Sequence, residues 1–176
     1  MRRLDNLDIE RSIQLKKLIF NENNSDGLNR ALSYSMFSGF VLVSLIMMID
    51  LITSHDIAFP EFFFFPIMIF GLHGLYCQFN EMKLKEIRTN IQPEEIKRRI
   101  AEYSRIKNYR TYEAADYLLF LNEPTYEGSS GYEQTTFIFI RNEKILYTVL
   151  KETTRFNTPV LFAQYFKARD LKRILK

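Results

Sequence analysis

The sequence predicts an α+β membrane protein: an N-terminal amphipathic helix, a two-helix transmembrane hairpin and a small cytoplasmic domain of order α-β-β-β-β-α. Three observations predict it. Charge is segregated, because residues 31–79 hold no Lys or Arg and only three acids, Asp50, Asp56 and Glu61, so all 24 basic residues lie elsewhere. The apolar middle carries −3 and the rest +6, and the chain's net +3 describes neither part. Within that middle, two runs are apolar around the full helical circumference, without the charged outer face of a soluble core helix. After Asn108 the hydrophobic period changes from helical to alternating, as strands require.

Residues 1–30 read as a cytoplasmic amphipathic arm. Leu4, Leu7, Ile13, Leu18, Ile19 and Phe20 form an imperfect helical stripe, with Arg11, Lys16 and Lys17 on or beside the polar face. Such a helix lies on an anionic inner leaflet or packs on the C-terminal domain, and both readings stay open. The polar run at 21–27, ending in Gly27, breaks it. Because these first 30 residues are polar, no cleavable signal peptide is expected.

The transmembrane hairpin occupies 31–79, with spans at 31–53 and 59–79. Each reaches roughly 33 Å, enough to cross a hydrocarbon core. Residues 54–58 alone connect them, so the spans must be antiparallel. Arg2, Arg3, Arg11, Lys16, Lys17 and Arg30 precede the first span, Lys83, Lys85 and Arg88 follow the second, and the connection carries neither Lys nor Arg. Basic residues stay inside, so a multi-pass membrane protein with both termini cytoplasmic is expected. The single cysteine, Cys77, excludes an internal disulfide and then lies on the reducing side.

Small residues on the cytoplasmic half of both spans, Ser35 and Gly39 on the first and Gly71 and Gly74 on the second, are the expected packing contacts of the hairpin. Pro60 suits the first turn of the second span, and Pro66 is expected to kink it. Asp50 and Glu61 sit about 12 Å toward the outside, at headgroup level, and His73 about 6 Å toward the cytoplasm. His73 and Asp50 are too far apart along the normal for a proton relay. An ionisable residue in a span is a functional candidate; here the acids read as water-reached and His73 as a neutral, hydrogen-bonded side chain.

Residues 80–91 read as a helical connector projecting from the bilayer, and 92–176 as the cytoplasmic α+β domain. Gln92, Pro93, Glu94 and Glu95 start a helix, with acids at its positive end. Ile96, Ile100, Tyr103 and Ile106 follow at helical spacing. Strands are expected at 109–113, 117–121, 134–140 and 144–150, the last two joined as a hairpin, and a helix closes the chain. Phe162, Phe166 and Ile174 read as the buried stripe of that helix. These stretches, 93–108, 117–121, 134–146 and 167–175, together resemble the C-terminal domain of uncharacterised small bacterial membrane proteins with two transmembrane helices. The resemblance implies a fold and no activity.

No motif carries chemistry. The glycines at 128 and 131 lack the Lys and Ser/Thr of a phosphate loop, and no nucleophile elbow or calcium loop is present. Glu123, Glu127 and Glu133 flank a loop and read as solvated. Catalytic residues, metal ligands and cofactors are therefore none. The closing helix is basic, with Lys167, Arg169, Lys172 and Arg173, and like Arg11, Lys16 and Lys17 these are expected to touch the membrane surface. No nucleic acid is expected: Tyr165 and Phe166 sit beside the cations, but Phe162, Phe166 and Ile174 read as the helix's buried stripe rather than as exposed rings, and the nearby anionic leaflet accounts for the charge. The expected partners are the bilayer with its anionic inner leaflet, a second copy of the chain in a homo-oligomer, and another protein. The functional expectation is a non-enzymatic inner-membrane protein presenting an interaction domain, as an accessory or immunity partner. The alternative is a two-span defence effector whose β domain senses a ligand and triggers membrane disruption.

Overall fold

Alternating apolar residues build the sheet that organises the molecule. In the computed structural model, which describes residues 6–21, 24–54, 64–123, 133–141, 144–152 and 162–175, five antiparallel strands lie in the order β1-β5-β4-β3-β2. They are β1 (Lys85–Arg88), β2 (Arg110–Ala115), β3 (Leu118–Glu123), β4 (Glu133–Arg141) and β5 (Lys144–Glu152). The last four sit where the alternation puts them, and the register Arg141↔Lys144 confirms the expected hairpin. The fold is mixed α+β.

Strand β1 corrects the helical connector at 80–91. The chain leaves its preceding helix at Asn80, whose side-chain amide donates to the Tyr76 carbonyl at 2.7 Å. Three residues later Lys83 N–H donates to the Asn80 carbonyl at 3.0 Å, closing a turn. Lys85, Glu86 and Arg88 have good helix propensity, but pairing with β5 in the register Ile87↔Ile145 buries Ile87 and satisfies an otherwise open sheet edge. Tertiary pairing overrides local preference here.

Both faces of the sheet are covered. On one, Leu119, Leu121, Ile138, Ile140, Ile145 and Tyr147 meet Ile96, Ile100 and Tyr103 of α4 (Pro93–Ile106) and Leu171 of α5 (Ala163–Ile174). Helix α4 starts as expected, with Pro93 in its first turn and Glu94 and Glu95 at the positive end. On the other face Leu118, Phe120, Phe137, Phe139 and Leu146 lie under Leu18, Phe20, Met82 and Leu84. Phe20 and Phe120 both set their rings edge-on to Phe137.

Residues 6–21 of the N-terminal arm are therefore part of this domain. Their helix, α1 (Ile9–Gln14), is only six residues long, capped by the Asp8 side chain on Arg11 N–H. Lys16 follows in the left-handed region at φ 48°, which turns the chain back. Leu18 N–H then donates to the Met82 carbonyl at 2.8 Å and Leu84 N–H to the Lys16 carbonyl at 2.9 Å, with Lys17 and Lys83 paired between them. Over residues 6–21 a short helix and a bridged segment thus stand where an amphipathic helix was expected, with Leu18 and Phe20 buried against the sheet's second face.

That bridge closes the base of a helical hairpin inserted into the domain. Helix α2 (Asn24–Ser54) starts before the first predicted span and includes Gly27; α3 (Phe64–Asn80) covers the second from its sixth residue on. Pro60 and the connection at 55–63 lie outside the described residues, as does Phe62, whose carbonyl is the acceptor that Pro66, lacking an N–H, would leave unpaired in kinking the helix.

Candidate membrane-contacting surface

A seam of small residues lets α2 and α3 approach. Phe37, 2% exposed, lies across Gly74, where a Cβ would stand 2.3 Å from its ring. At Gly71 a Cβ would meet the Phe37 carbonyl at 3.2 Å and Val41 at 2.9 Å. Phe40 and Phe70 complete the aromatic packing around Phe37, and Tyr34 meets Phe79 near the base. Gly71 and Gly74 are seam residues, as their depth suggests.

Ser35 and Gly39 are not. Ser35 is exposed, and a Cβ at Gly39 would find nothing within 4 Å. Phe37 faces α3, and residues two positions away on a helix point about 200° around from it. Ser35 and Gly39 instead join Met36, Phe40, Val43 and Phe70 in an apolar groove of about 670 Å³ on the flank of the hairpin.

The outward surface is apolar. Leu42, Ile46, Ile49, Ile52, Ile69 and Leu72 are each at least 50% exposed. Among the described residues, Arg30–Thr53 is the one helix long and apolar enough to cross a membrane, with mean hydropathy 2.1. Only 11% of that stretch is buried, the opposite of a soluble core helix. Asp50 is exposed near its end; Glu61 lies outside the described residues. The ring of His73 stacks on Phe162, at the N-terminal end of α5, at 5.3 Å and contacts the Cys77 sulfur at 3.5 Å.

The basic residues expected at the membrane surface divide. Arg11 and Lys17 are exposed, and Lys16 pairs with Glu86 at 2.9 Å. On α5, Arg169, Lys172 and Arg173 are exposed, whereas Lys167 is 4% exposed and does not reach a surface. Its Nζ lies 2.6 Å from Glu123 Oε1 and 4.2 Å from the centroid of the Tyr109 ring. Gln134 donates to the same Glu123 oxygen at 3.0 Å. Nearby, Tyr103 donates its hydroxyl to Asp170 at 2.7 Å, and burial, then this bond, pushes the phenol well above its ordinary range. Together these contacts fasten α5 to β3 and α4.

While Ile174 packs against the core as expected, this fastening turns the first half of α5 from its expected phase. Its buried positions are Gln164, Lys167, Leu171 and Leu175, while Phe162 and Phe166, expected inside, are 63% and 59% exposed. A lysine that buries its stem and pairs its head is compatible with a core position, and hydropathy alone cannot see the pair. The exposed aromatic stripe was missed for that reason.

Among the described residues no three His, Cys, Asp or Glu side chains gather as a metal site. No family model matches the chain, and no curated protein or solved structure is significantly similar to it.

Proposed function

We propose that this is an inner-membrane protein whose two helices cross the bilayer as a hairpin and whose sheet domain, on the cytoplasmic side, binds another protein or a second copy of the chain. The observation that carries this reading is the outward face of α2 and α3, large aliphatic side chains left half or more exposed by the fold. Water would solvate such a face poorly, and lipid solvates it well. The orientation rests on the basic residues flanking the hairpin and their absence between 54 and 58. The non-enzymatic interaction role is supported by the domain's design: its sheet is filled on both faces, and β2, at one end of the strand order, has side chains exposed along nearly its whole length. An exposed edge strand accepts a partner by main-chain pairing. A ligand-sensing effector would need an enclosed chamber, so the open sheet ranks that reading second.

The test is fractionation with alkaline carbonate, combined with reporters fused after Lys176 and inserted at His55. Retention in the membrane pellet, with a cytoplasmic signal from Lys176 and an outside signal from His55, is expected. Release into the soluble fraction, or an outside signal at Lys176, would refute the reading. Cross-linking in membranes followed by identification of the adduct tests the interaction role; a chain that stays monomeric and unpartnered would refute that part alone.

A further inference from the structure

We propose that the exposed face of α5 is an interfacial lipid-binding surface, its aromatic half entering the boundary between headgroups and acyl chains and its basic half taking the phosphates of anionic phospholipids. The inference rests on the reading of the hairpin as membrane-embedded.

Phe162, Tyr165, Phe166, Arg169, Lys172 and Arg173 follow the 3.6-residue period along one face, opposite the stripe of Gln164, Lys167 and Leu171 that packs inward. The face is zoned: three rings, 63%, 68% and 59% exposed, occupy the first half, and three cations the second. Among the described residues none of these cations has a carboxylate at ion-pair distance, and the helix's one acid, Asp170, is engaged with the Tyr103 hydroxyl. The aromatic end is held against the apolar hairpin, since Phe162 stacks on His73, seven residues above Asn80 and thus about 10 Å up from the base of α3. Tyr76 and Phe79, also largely exposed, stand on α3 between that contact and the base. Exposed rings from two elements therefore gather at one end of the hairpin, with cations farther along α5. Rings at the boundary and cations at the phosphates are the depth profile of an interfacial helix. Nucleic acid would instead favour cations interleaved with the rings.

The test uses the full chain carrying Cys77→Ser, reconstituted in nanodiscs of phosphatidylcholine alone or enriched in phosphatidylglycerol. A nitroxide is attached at Phe166→Cys, or at Ile46→Cys on the outward face of α2, and collision with oxygen is compared with collision with a water-soluble nickel complex. Oxygen should dominate at both positions in the phosphatidylglycerol discs. At Phe166→Cys the oxygen preference should fall at least several-fold in phosphatidylcholine, and likewise when Arg169, Lys172 and Arg173 are all changed to Ala, with Ile46→Cys unchanged. A lipid signal at Ile46→Cys with a water signal at Phe166→Cys in every disc overturns this inference and leaves the hairpin standing. A water signal at Ile46→Cys overturns the hairpin itself. Equal immersion of Phe166→Cys with and without phosphatidylglycerol removes the anionic-lipid assignment, and protection by an added oligonucleotide in place of lipid assigns the face to nucleic acid.

Discussion

Replacing Gly74 by Ala tests where the two helices touch. The added Cβ would stand 2.3 Å from Cδ1 and Cε1 of Phe37, whereas ordinary contact begins at 3.4 Å, so ring or helix must yield by about 1.1 Å. Phe37 is 2% exposed and its ring is backed by Phe40 and Phe70, with centroids at 6.3 and 6.0 Å, which blocks an easy rotation. Overpacking of this kind costs roughly 1–3 kcal/mol. Ala exceeds Gly in helix propensity by up to about 1 kcal/mol, which offsets part of that. A clash this close to a backed ring takes the upper part of the overpacking range, about 2–3 kcal/mol, and the remaining net loss of about 1–2 kcal/mol lowers the unfolding midpoint by about 2–8 °C in a chain of this size. Cys77 supplies the readout: it is the only thiol, 8% exposed, and sits one turn from Gly74, so a fluorogenic maleimide reports opening of the hairpin during a thermal ramp in detergent. Gly39→Ala, with nothing within 4 Å of the new methyl, should leave the midpoint unchanged or raise it. Combining Gly74→Ala with Phe37→Leu should recover part of the loss, because the ring that clashes is gone. Equal losses at Gly39 and Gly74, or no loss at Gly74, would refute the seam.

Three further outcomes follow from the sheet domain. Leu18→Ala should cost about 2–5 kcal/mol, because the side chain is 2% exposed against the second sheet face; denaturant unfolding followed by circular dichroism checks this, and a silent variant would return the arm to the leaflet. Lys167→Met removes the cation from Glu123 while keeping the buried stem, and should destabilise the same transition by about 1–3 kcal/mol, with Lys167→Met/Glu123→Gln milder than Lys167→Met alone. Burial pushes the Tyr147 phenol up to about 12, so tyrosinate absorbance should show a late step that Tyr147→Phe deletes. The folded state then holds a proton the unfolded state has released, so this contribution is complete below the ordinary phenol value of 10 and is lost as pH rises toward 12.

Much of this molecule was legible in its sequence because the informative patterns are long or strictly periodic. Residues 31–53 announce an apolar helix whatever surrounds them, since every face is hydrophobic and no choice of phase is needed. Strands β3, β4 and β5 follow from alternation, and the start of α4 from Pro93 with its flanking acids. The helical connector failed because four residues, 85–88, have local preferences too weak to outvote an open sheet edge. The arm stayed ambiguous because Leu18 and Phe20 suit lipid and protein equally.

What the sequence alone determined is the division of the chain into an apolar helical middle and a strand-bearing remainder, because hydropathy and period are properties of consecutive residues. Tertiary structure decided everything that depends on rotation about a helix axis or on distant pairing. It decided that Gly74 faces Phe37 while Gly39 does not, that Lys167 turns inward to Glu123 and leaves Phe162 and Phe166 outside, and that residues 16–18 meet 82–84 across the base of the hairpin. A helix with several apolar or amphipathic stripes can be docked in several phases at similar burial, and only the partner residues, brought from far along the chain, select one.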